Sequence, residues 1–128
     1  MKKYFILLLT LLSLATFLFV GCDSSTQTVS NGPNTVHMNE TKFLPATITI
    51  KKGESITIVN DVSVVHLIQN GTWTNSGSAK PGQETGAPKV ELQINGSATQ
   101  TAGPFTTAGT FQLYCIVHPG MNLTVIVQ

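Results

Sequence analysis

Beyond residue 22 no stretch of the chain carries apolar residues at helical spacing; where they recur regularly, they recur at every second position. Thr35 to Met38, Ala46 to Ile50 and Ser55 to Val59 read as strands, and β-branched residues dominate the last two. Val62 to Ile68 reads as a further strand or strand pair. Val90 to Ile94 alternates again, and Thr110 to Cys115 and Leu123 to Val127 complete the series. Lys42 to Pro45 interrupts the pattern, and Lys51 to Glu54 forms a turn. Gly71 to Pro88, with Trp73 as its one anchor, reads as a long loop holding at most one short strand or turn of helix. Short strands separated by Gly, Pro and Asn turns bury their apolar faces by packing sheet on sheet, so an all-β sandwich or barrel is expected.

The first 33 residues follow other rules. Met1-Lys2-Lys3 is a positive start, Tyr4 to Val20 is an almost unbroken apolar run without charge, and Gly21-Cys22 closes it. That order is a secretory signal, excluded from the fold; a plain membrane anchor is the competing explanation. Leu18 to Cys22 also resembles the bacterial lipoprotein cleavage box, with Phe19 where leucine is usual. The resemblance implies removal of residues 1–21 and lipidation of Cys22. Asp23 to Pro33 is Ser, Thr, Gln, Asn, Gly and Pro with one Val, the composition of a flexible tether. Residues 34–128 would then form one domain, held by its lipid at the outer face of the bacterial cell membrane.

Charge excludes some partners. The chain has no Arg, and without Lys2 and Lys3 its formal balance falls from +1 to about −1, so no basic stripe exists for nucleic acid. Four Asn-x-Ser/Thr sequons, at Asn39, Asn70, Asn95 and Asn122, read as by-products of a Thr- and Asn-rich surface. Cysteine usage says more. If Cys22 carries lipid, Cys115 has no disulfide partner, and a lone thiol in an oxidising compartment is a liability unless a metal holds it. The other outcome is a bridge between Cys22 and Cys115.

Cys115, His118 and Met121 lie three residues apart on a short loop between two alternating runs. Taken singly, each has an ordinary explanation: a small buried hydrophobe, a loop imidazole facing solvent, a core filler. Together they form a donor set. Thiolate and thioether sulfur favour copper, imidazole suits it in either oxidation state, and two His, one Cys and a weak axial Met make a blue-copper electron-transfer site. Pro119 and Gly120 favour the tight turn that brings the three together. The second histidine must come from elsewhere, and His66, at the end of a hydrophobic run, is preferred over His37.

Cys115-x-x-His118-x-x-Met121 resembles the short copper-ligand loop of amicyanin-like cupredoxins of the plastocyanin/azurin group. Phe43-x-Pro45, Gly53, Asn60 ahead of His66, and Gly109-Thr110-Phe111 before Tyr114-Cys115 are similar to that group as well. The resemblance implies a Greek-key β-sandwich of about eight strands, with one type 1 copper at its pole bound by His66, Cys115, His118 and axial Met121. It also implies a one-electron carrier that exchanges electrons with redox proteins, which the lipoprotein box would tether to the membrane, and a monomer is expected. His66 is expected to lie under the long loop. His118 is expected to break the surface within a patch of Leu44, Pro45, Pro119 and Gly120. Leu67 departs from the pattern, since an Asn that braces the cysteine loop is usual there. Copper storage or delivery, or a structural module without a redox role, are the other classes. Storage proteins use exposed Met- and His-rich stretches, which this chain lacks. Copper enzymes need further histidine clusters, which three histidines cannot supply, so no catalytic activity is expected.

Overall fold

The computed structural model describes residues 32–128. The signal segment, Cys22 and most of the tether lie outside the described residues. Ten strands follow one another: β1 (Thr35–Met38), β2 (Phe43–Leu44), β3 (Thr47–Ile50), β4 (Ile56–Asn60), β5 (His66–Trp73), β6 (Ala79–Pro81), β7 (Glu91–Ile94), β8 (Thr99–Ala102), β9 (Gly109–Cys115) and β10 (Asn122–Val127). No helix occurs among the described residues.

The strands form two sheets. One runs in the order β2-β1-β4-β8; the other runs β3-β10-β9-β5-β6, with β7 also paired to β5. Both are mixed: β1 lies parallel to β4, and β3 parallel to β10. Alternation explains the packing. Val36, Met38, Ile56 and Ile58 of the first sheet, and Ile50, Ile68, Leu113, Leu123 and Val125 of the second, are all buried in one core. Phe105 and Phe111 pack within it, ring centroids 5.9 Å apart. Each large apolar side chain buried there contributes roughly 1.5–3 kcal/mol before conformational entropy is set against it.

The structure moves several of the expected boundaries. Val62 to Val65 is not strand; β5 starts at His66 and runs on to Trp73. Asn60 is the reason. Its side-chain nitrogen lies 2.7 Å from the Val64 carbonyl, and its oxygen accepts a hydrogen bond from the Val62 amide, so the backbone bends around it. The 71–88 stretch is not one loop, for Gly71 to Trp73 and Ala79 to Pro81 pair as an antiparallel hairpin. β2 forms where an interruption was expected, and β8 is polar and exposed over Thr99 to Thr101, which hides its strand character.

Candidate metal centre

Cys115 closes β9 with its side chain turned into the core, 0% exposed. Ile68 of β5 stands opposite it, and the two strands run antiparallel. His66, two residues earlier on β5, therefore shares the inward face and lies just past the end of β9. The chain beyond Cys115 returns at once. The Ile116 amide donates to the Leu67 carbonyl at 2.9 Å, the Cys115 amide to the Met121 carbonyl at 3.0 Å, and the Met121 amide to the His118 carbonyl at 3.2 Å. Gly120 has φ of 80°, and with Pro119 before it this is the residue pattern of a type II turn.

The turn gathers the donors. One ring nitrogen each from His66 and His118 and the Cys115 sulfur all lie within 4.8 Å of one another. Cys115 Sγ is 3.2 Å from His118 Nδ1, and the two imidazole centroids are 4.6 Å apart at 51°. Met121 follows at the end of the turn, its side chain buried at 1% exposure. His37 is elsewhere: its Nδ1 meets both carboxylate oxygens of Asp61, at 3.0 and 2.9 Å.

Whether these residues suit a metal is decided by His66. It is fully buried, yet neither Nδ1 nor Nε2 has a hydrogen-bond partner. A buried polar group left unpaired costs about 1–3 kcal/mol, and native structures hold few. Burial holds its pKa below the ordinary histidine value and the nearby His118 lowers it further, against a smaller opposing pull from Glu40, which favours the neutral ring with its lone pair. Cys115, buried beside it, has no disulfide partner among the described residues. Two imidazoles, a thiol and a neighbouring thioether are donors for a soft or borderline ion, not for calcium or magnesium. The residues fit copper.

Several exposed apolar side chains lie at this pole. His118 is half-buried, and beside it Val117 is 47% exposed, with Pro119 and Gly120 open to solvent. Val64 and Val65, just before His66, are exposed too. Register puts Leu44 at the same end: Met38 pairs with both Phe43 and Asn60, and Asn60 opens the loop to His66. Sequence reasoning named Leu44, Pro45, Pro119 and Gly120 but missed the valines, whose segment reads as strand.

It also missed two residues that hold the loop from outside. Trp73 Nε1 donates to the Cys115 carbonyl at 2.8 Å. The Trp73 backbone donates to Asn122 Oδ1 at 2.7 Å and accepts from Asn122 Nδ2 at 2.9 Å. The lone Trp of a Gly- and Ser-rich stretch was the available signal, because a buried indole N–H needs a partner. The hydrogen bonds of this hairpin reach Cys115 and Asn122, whereas His66 receives none.

Comparison with known proteins points the same way. Residues 30–128 match the model of the copper binding proteins, plastocyanin/azurin family. The plastocyanins of Ulva prolifera and Scenedesmus fuscus are each 31% identical over 88 residues, covering 67% of this chain and 86% of theirs. Among solved structures, amicyanin from Paracoccus versutus superposes with a TM-score of 0.57 at 23% identity, over 80% of this chain and 87% of that one. An oxidised methionine-to-leucine variant of amicyanin gives 0.56 at 21% identity, over 80% and 88%. At these identities the structural likeness shows the cupredoxin fold.

Proposed function

Because the chain belongs to the plastocyanin/azurin family of copper-binding proteins, we propose that it is a mononuclear type 1 copper protein that carries single electrons between redox proteins at a membrane surface. The observation that carries this reading is His66, buried with both ring nitrogens unpartnered inside a 4.8 Å triangle with Cys115 and His118. Bound copper supplies the one-electron couple. His66, Cys115 and His118 would hold it, with the buried thioether of Met121 as a further, weaker donor. The sheet fixes His66 and Cys115 on neighbouring paired strands, which would hold the donors in place whichever oxidation state the metal takes.

His118 is the one nitrogen donor that is not fully buried, and the apolar collar of Val117, Pro119, Val64 and Val65 gives a partner a dry surface to dock on. A near-neutral domain has little field to steer that encounter, so shape and apolar contact select the partner. The protein is read as a carrier and not an enzyme, since Cys115 with His66 and His118 makes one mononuclear site and His37, the remaining histidine, is paired with Asp61. Cys22, as the lipidated residue, would hold the domain to the outer face of the membrane. The tether reaches at most roughly 40 Å.

Voltammetry of the copper-loaded protein tests the reading. A reversible one-electron wave and copper release slow against electron exchange are expected, and His118→Gly should cut the exchange rate at least tenfold. Irreversible reduction with prompt release of the metal would favour storage or delivery instead.

A further inference from the structure

The 71–81 hairpin is an addition to the outer face of the second sheet, and its position is specific. β9 alternates with Phe111, Leu113 and Cys115 inward, which sends Tyr114 to the outer face; yet Tyr114 is only 3% exposed. Gly71 makes its cover. The residue has φ of 129°, and a Cβ there would meet the Lys80 carbonyl at 2.5 Å and the Tyr114 ring at 2.9 Å. The backbone therefore turns against Tyr114 at a distance only glycine permits. This brings Trp73 edge-on to the Tyr114 ring, centroids 5.9 Å apart at 77°.

From there Trp73 reaches both ends of the ligand loop. Its indole N–H holds the Cys115 carbonyl, and its backbone N–H and C=O are matched by the amide of Asn122, which acts as a short surrogate strand. Cys115 and Asn122 bracket His118 and Met121. On the other side, Leu67 supplies the loop with its backbone carbonyl. Fixing the Cys115 carbonyl fixes the peptide plane that follows it, and with it the direction in which the neighbouring Cα carries the sulfur.

We infer that Trp73 and Asn122 are positioning residues for the copper site: a clamp between the hairpin and the start of β10 that holds the ligand loop closed from outside the sandwich whether or not metal is bound. The inference rests on the copper reading for its consequence, though the clamp itself is a property of the polypeptide. Its role is to keep the donors gathered in the absence of the ion and to slow their parting in its presence.

Trp73→Phe keeps an aromatic ring against Tyr114 and the backbone bonds to Asn122, and removes only the indole N–H. Two measurements separate positioning from packing. In the copper-free protein, amide hydrogen exchange at Cys115, Ile116 and Met121 should rise at least tenfold in Trp73→Phe, with β1 and β4 unchanged. Asn122→Ala should do the same. In the copper-loaded protein, loss of metal to a chelator should quicken about tenfold and the copper–thiolate band should shift. Wild-type exchange in both variants, or a uniform rise over both sheets, would overturn the clamp. A wild-type protein that takes no copper would instead refute the proposed function, and the exchange experiment on the metal-free chain would still decide the clamp.

Discussion

Asn60 shows how much one polar side chain can organise. It is 1% exposed, and its side-chain nitrogen lies 2.7 Å from the Val64 carbonyl, 3.0 Å from that of Asn95 and 3.3 Å from that of Ile94. These contacts tie the 61–65 bend to the end of β7, which pairs with β5 at His66. Asn60→Ala leaves those carbonyls without their donor at a cost of about 2–3 kcal/mol, and urea unfolding should show it as a lower midpoint. The same substitution frees the segment that aims His66. Cys115, His118 and Met121 stand out in the sequence as candidate ligands because their donor chemistry is rare and their spacing tight, whereas His66 is reached only as the histidine preferred over His37. Asn60 was legible only as a resemblance, since nothing in its neighbours says which carbonyls it will meet. Trp73 and Asn122 were not legible as a pair: they are 49 residues apart, and their contact depends on a bend at Gly71.

At the scale of elements, alternation located most of the strands. It failed where tertiary contacts override the local pattern. Val62 to Val65 is apolar and β-branched enough for a strand, but Asn60 captures its backbone. Thr99 to Ala102 carries almost no apolar signal and becomes a strand because β4 offers it a free edge. The hairpin of β5 and β6 is the sharpest case, for its register turns on the positive φ of Gly71 and on the absence of a Cβ there. Gly71→Ala combines a disfavoured backbone conformation with contact against Lys80 and Tyr114. A loss of at least about 2 kcal/mol is expected, read by thermal or urea denaturation, together with exposure of Trp73 in its fluorescence. Unchanged stability would mean that the hairpin does not depend on that close approach.

For the whole molecule, two sheets and one core present a single pole at which Cys115, His66 and His118 meet. Fewer than a hundred residues give a modest core, so a bound ion that contacts only the folded state adds to stability by mass action. If Cys22 carries lipid, the N-terminal segment would set where the protein sits. Cys22→Ser is expected to shift the protein from the membrane fraction to the soluble fraction after cell lysis, with the copper site unaltered; membrane retention would point to the apolar run of residues 4–20 as an uncleaved anchor. The central claim is that one buried thiolate and two imidazoles hold a single copper ion, and the visible spectrum tests it most directly. With one equivalent of Cu(II), the wild-type protein should develop an intense sulfur-to-copper charge-transfer band that Cys115→Ser abolishes. A colourless wild-type protein, or a band that survives in Cys115→Ser, would contradict it.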